Sequence, residues 1–180
     1  MNPLRIALIA LFLPALAFAK TQNAARPAAP PPATGFRAEF IAGVDDVEAK
    51  LLDLVEITPA ESFSWRPAPG VRSISEVYMH IAASNYFRAA FAGVPAPKLA
   101  DLETTVTKKA DVAVELRKSF DHLRMVASRV EDFDKTVKML GSTTSHRGVL
   151  LMILNHVHEH LGQSIAYARM QGVMPPWSTR

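Results

Sequence analysis

The chain has 180 residues, 49% of them hydrophobic, which suffices for one domain with a true core and is short for two. Its formal charge of +3 is too small and too scattered to suggest a nucleic-acid partner, which is normally met by a clustered basic face. It contains no cysteine, which excludes disulfides, thiolate metal ligands and a cysteine nucleophile.

The chain opens with Arg5, an unbroken apolar run from Ile6 to Leu13, and the small-residue sequence Ala17-Phe18-Ala19 before Lys20. This pattern predicts a secretory signal peptide over residues 1–19, with the mature protein periplasmic or secreted. The apolar stretch is short for a bilayer span and Pro14 interrupts it, so no stable membrane span is expected after cleavage. Loss of Arg5 without any acidic residue lowers the formal charge from +3 to +2. Residues 20–35 are rich in Ala and Pro, with Pro30, Pro31 and Pro32 consecutive, and bury too little apolar surface to fold. They read as a disordered tether to a domain over residues 36–180.

Four segments with helical periodicity follow, and nothing alternates convincingly with the period of a strand. The first, from about Arg37 to Ile57, places Phe40, Val44, Val47, Leu51 and Leu54 or Val55 on one face. A loop of about fifteen residues comes next, longer than ordinary bundle connections, with Trp65, Pro67, Pro69 and Gly70 in it. Trp65 is expected to pack with Pro67 over the bundle end and to set the start of the next helix. The second helix begins after Ser73, with Glu76 as capping-box partner, and runs to about Ala92 before Gly93, Pro95 and Pro97 stop it.

From Pro95 to Thr107 the pattern reads as non-helical. The third helix occupies about Lys109 to Val130, with Val112, Leu116, Phe120, Leu123 and Val126 as its buried stripe. The fourth starts near Ser145 and ends at Gly172, with Pro175 and Pro176 beyond. The expected fold is all-α, an antiparallel four-helix bundle.

Three of the six histidines form a joint pattern. His156 and His160 stand four apart in the fourth helix, one above the other on one face, where two imidazoles can grip one ion. Met152, Val149, Gln163 and Tyr167 continue that face, which is expected to look into the bundle. His80 lies in the second helix near Ile74, Val77, Ile81 and Asn85 or Phe87, and supplies a third ligand from a facing helix. Any one of these histidines alone is an ordinary core or surface residue. Three buried together leave several polar nitrogens to satisfy, and one divalent cation satisfies three of them. His158 points away from the pair and is expected to be exposed, while His122 and His146 read as surface or helix-end residues. Glu76 serves either as a cap or as a hydrogen-bond partner for a ligand's outer nitrogen; Gln163 and Asn155 are either such partners or core amides that hydrogen-bond to a neighbouring helix.

These residues resemble the DinB-like proteins, four-helix bundles of the DinB/YfiT type, over about Phe36 to Trp177. The most specific part is Asn155-His156-Val157-His158-Glu159-His160-Leu161-Gly162-Gln163, followed by Trp65-Arg66-Pro67 with Ser73, Glu76 and His80. The resemblance implies that His80, His156 and His160 are metal ligands, with zinc or nickel the usual occupants. It also implies that a small-molecule substrate is available as a partner, since some branches of the family are thiol transferases. Many relatives carry a basic residue where Leu161 stands. A homodimer is compatible with this fold type, and nucleic acid is not an expected partner.

Three functions fit these residues. One is a metal-dependent hydrolase or transferase acting on a small substrate, although no general base stands out besides Glu76 and Glu159. Another is a non-catalytic metal-binding module of the cell envelope, and the last is a plain bundle without a site.

Overall fold

The computed structural model describes residues 35–98 and 100–178. The signal peptide and all of the tether except Gly35 lie outside the described residues. The helices are α1 (Phe36–Ile57), α2 (Ile74–Ala89), α3 (Leu102–Thr105), α4 (Lys109–Arg129) and α5 (His146–Met170). A hairpin of β1 (Thr136–Met139) and β2 (Ser142–Ser145) joins the last two. Among the described residues no helix is long and apolar enough to cross a membrane.

The four long helices pack as a bundle around Phe40, Leu51, Leu54, Met79, Ile81, Leu116, Phe120, Leu123, Leu150 and Ile153, all essentially inaccessible to solvent. Each stripe recurs at helical spacing, so each helix turns one face to the same interior. The starts are set locally. Ser73 and Glu76 form the expected reciprocal capping box at α2, and the Ser145 hydroxyl accepts from the Gly148 amide at α5. A short 3₁₀ turn, Ala90–Ala92, extends α2 until Gly93 leaves the helix in the left-handed region at φ 94°.

The helix directions follow from contacts at their ends. Arg37 in the first turn of α1 donates to the Ala127 and Val130 carbonyls at the end of α4, and Lys109 at the start of α4 donates to the Glu56 and Thr58 carbonyls, so α1 and α4 are antiparallel. α2 and α5 are also antiparallel: Ile74 and Val77 share a small cavity with Tyr167 and Ala168, and Ala92 lies across a cleft from His146. α2 and α4, in contrast, run parallel, with Ser73 near Lys109 at one end and Ala92 near Arg129 at the other. A parallel neighbour requires the chain to return along the whole bundle, which accounts for the long connection before Lys109.

Two departures from the sequence reading are local. The Pro95–Thr107 stretch contains the single-turn helix α3, whose Leu102 is buried. The β1–β2 hairpin was concealed because its strands are four residues each and its turn, Leu140-Gly141, carries positive φ at both positions without the usual Asn-Gly pair.

Trp65 is half-buried and sets the start of α2 as expected, its carbonyl accepting from the Ile74 amide. Its ring meets Tyr167 edge-on, centroids 5.5 Å apart, while Pro67 is exposed; the packing partner is therefore an aromatic ring of α5. Trp65→Ala is expected to lower stability by about 3 kcal/mol, the low end for a packed tryptophan, because the ring is only partly covered. An unchanged midpoint in denaturant unfolding would show that this contact contributes nothing.

Candidate metal centre

His80 sits near the middle of α2, and His156 and His160 stand one turn apart on α5, so the antiparallel pairing of these helices brings all three imidazoles together. One nitrogen from each lies within 4.8 Å of the others. Ring centroids are 4.5 to 5.2 Å apart, and the Nε2 atoms of His80 and His156 are separated by 3.3 Å. A tetrahedral zinc with bonds of about 2.0–2.1 Å holds its ligand nitrogens about 3.3–3.4 Å apart, so that pair already has a suitable spacing.

The outer nitrogens of two rings are held. His80 Nδ1 donates to Glu103 Oε1 at 2.8 Å, and because an ionised carboxylate can only accept, this bond leaves the lone pair of neutral His80 on Nε2. Glu103 also takes two bonds from the Arg72 guanidinium. His160 Nδ1 donates to the Gln163 amide oxygen at 2.8 Å, and Gln163 Nε2 donates to the Tyr167 hydroxyl. Tyr167 is the ring that Trp65 packs on, which ties the loop before α2 to the orientation of His160.

Electrostatics favour neutral, ligand-competent rings at His156 and His160. Burial pushes the His156 imidazole down to about 3, assisted by the charges of His160, Arg88, His80 and Arg72. Burial also lowers His160, outweighing the opposing effect of its bond to Gln163. Desolvation pushes Glu103 upward, but the hydrogen bonds from Arg72 and His80 and the charge of Arg72 outweigh it and hold the carboxyl below its ordinary value.

In chelator-treated protein, His156 has a pH consequence. Its folded value of about 3 lies below the ordinary 6.5, so between these values the unfolded chain binds more protons. The stability from keeping His156 neutral is therefore complete above about pH 6.5 and lost as pH falls toward 3. Thermal midpoints of the parent should fall more steeply across this window than those of His156→Asn. Parallel curves would mean the ring titrates normally.

The three ligand candidates come together, but at the edge of the bundle. All three are half-buried, and the buried stripe of α5 runs beside them through Val149, Leu150, Ile153, Val157, Leu161 and Ser164 to Tyr167 and Ala168. Met152, expected on the inward face, is 37% exposed, and of the alternatives Asn85 and Phe87 beside His80 it is Asn85 that is buried, while Phe87 is 52% exposed. His158 is exposed, as its register implied, and its Nδ1 donates to the Leu154 carbonyl. His146, expected at the surface or a helix end, is the first residue of α5 and buried, with Nδ1 donating to the Asp132 carbonyl. His122 is half-buried against the Tyr86 ring. Glu76 is a cap that also pairs with Arg66, and Asn155 is exposed. Glu103 and Arg72 were missed because neither has a sequence relation to His80: Glu103 lies 23 residues away on the single-turn α3.

The sequence model of the DinB superfamily matches residues 44–164, which include all three histidines. No curated protein matches the chain. Among solved structures, a DinB-like protein from Bacillus cereus ATCC 10987 is similar at 19% identity, with 76% of this chain and 93% of that one covered and a TM-score of 0.67. The DinB-like protein YjoA from Bacillus subtilis is similar at 20% identity, covering 74% and 92%, with a TM-score of 0.61. YfiT from Bacillus subtilis, described as a probable metal-dependent hydrolase with an unusual four-helix bundle topology, matches at 16% identity over 90% and 94%, with a TM-score of 0.60. These likenesses agree with the bundle, and the family match spans two thirds of the sequence around a histidine cluster that could hold a metal ion; the chain belongs to the DinB superfamily.

Proposed function

We propose that His80, His156 and His160 bind one divalent cation, zinc or nickel, and that the site serves hydrolysis or group transfer on a small substrate. The observation carrying this reading is the convergence of three imidazole nitrogens within 4.8 Å, two of the rings being oriented from behind by Glu103 and Gln163. Such second partners fix the tautomer and raise ligand basicity. A bound divalent ion with three protein ligands supplies Lewis acidity and an open coordination position. The chain's own contribution is to hold the His156 and His160 rings neutral and to align His80 and His160 through Glu103 and Gln163. A surface cleft of about 510 Å³, lined by Arg66, Arg72, Glu103 and Gln163 but by none of the three histidines, lies on the outer side of the groups that hold His80 and His160. The described relation to YfiT, a probable metal-dependent hydrolase, points the same way.

A non-catalytic metal-binding module is favoured by one observation: the carboxylate touching the cluster, Glu103, is committed to both Arg72 and His80 and is poorly placed to move a proton. Export to the periplasm or medium is proposed from the residues 1–19 pattern alone.

Mass spectrometry of protein from its own envelope fraction tests these points together. Native spectra should show one zinc or nickel per chain, and denaturing spectra a chain beginning at Lys20. Chelator-sensitive turnover of an activated ester, restored by either metal, supports catalysis. Full ion occupancy without turnover leaves the binding module, absence of any ion removes the site, and a retained Met1 removes the export reading.

A further inference from the structure

Arg88 stands two turns beyond His80 on α2, and eight residues of helix return it to within about 80° of the same side. Because α2 and α5 are antiparallel, its backbone lies level with roughly Leu150, between one and two turns before His156, and its charge is among those felt by the His156 ring. The guanidiniums at the opposite end of the site, by the start of α2, are neutralised, Arg72 by Glu103 and Arg66 by Glu76. Arg88 makes no ion pair among the described residues, and its Nε is buried without a hydrogen-bond acceptor. The residue is only partly buried, so its terminal N–H groups remain open to an anion arriving from solvent.

The metal reading sharpens the imbalance. Three neutral imidazoles contribute no negative charge to a divalent ion, and Glu103 is offset by Arg72. The corner between His156 and Arg88 therefore carries an uncompensated positive charge. A guanidinium presents its N–H groups in a planar fork that matches the oxygens of a carboxylate or phosphate. Beside it, Phe87 precedes Arg88 in sequence and Met152 lies one turn before His156, and both are substantially exposed.

From this arrangement we infer that Arg88 is the oxyanion-binding residue of the site, and that the substrate is a small organic carboxylate or phosphate whose apolar body lies toward Phe87 and Met152. The inference rests on the three-histidine metal reading and specifies the substrate class it would serve.

Titration calorimetry on the full chain loaded with zinc, using acetate, phenylacetate and phenyl phosphate as probes, tests it, with ion content measured in parallel by dialysis. The parent should bind the probes saturably, and phenylacetate more tightly than acetate. Arg88→Ala should weaken the oxyanion by about tenfold or more, as expected for losing a charged hydrogen bond, with ion content unchanged. Arg88→Lys, which keeps the charge but loses the fork, should fall between them and covers the case in which Arg88→Ala fails to fold. Equal oxyanion affinity in parent and variants, with the ion retained, overturns the assignment; equal affinity for acetate and phenylacetate overturns the apolar part. If dialysis finds no ion in the parent, the metal reading has failed separately. Arg88-dependent binding of phenylacetate to the metal-free chain would then still support Arg88, and its absence would overturn it.

Discussion

His80→Ala, His156→Ala and His160→Ala are each expected to abolish stoichiometric binding of zinc or nickel, whereas His158→Ala should bind as the parent does. Removing one of three protein ligands should cost more than the roughly 10- to 100-fold that follows loss of a partner behind a ligand. The control is informative because His158 lies between the two α5 ligands in sequence yet points outward, its Nδ1 held by the Leu154 carbonyl. The three ligand positions are half-buried and flank the packed stripe of α5, so the fold should survive each change with its helical circular dichroism intact. Equilibrium dialysis on the four variants decides the matter. Equal retention in all four removes the site, and loss confined to His158→Ala means that α5 presents the opposite face.

Glu103→Ala should weaken ion affinity by about 10- to 100-fold while leaving one ion per chain at saturation. The carboxylate donates no ligand atom in this reading; it holds His80 by its Nδ1–H and keeps the lone pair on Nε2. Its loss also frees Arg72, whose charge then acts on His156 and His160 without a neutralising neighbour. Glu103→Gln keeps an oxygen acceptor for His80 and should recover part of the affinity. Metal titration against a competing chromophoric chelator reads both variants. Unchanged affinity in Glu103→Ala would reduce Glu103 to a partner of Arg72 that anchors α3.

The histidine cluster was legible because its information is local. The four-residue spacing of His156 and His160 forces a shared helix face, and a third histidine on another amphipathic helix suffices to suggest a cluster. What stands behind the ligands divides along the same line. Gln163 is three residues from His160 and was a visible candidate. Glu103 was not, since it reaches His80 through a crossover whose path has no periodicity to read, and α3 is too short to show a buried stripe.

By itself the sequence determined the four long helices and their ends, because apolar spacing, the Ser73 and Glu76 capping box, Gly93 and the Pro175–Pro176 stop act within one or two turns of chain. It also determined that two imidazoles would share a face of α5. The tertiary structure alone decided that α2 and α4 run parallel, that the cluster lies at the half-exposed edge of the bundle, and that Glu103 reaches His80. Helix direction and neighbourhood depend on which apolar faces find one another after the connections close, and residues far apart along the chain carry no spacing from which those meetings can be read.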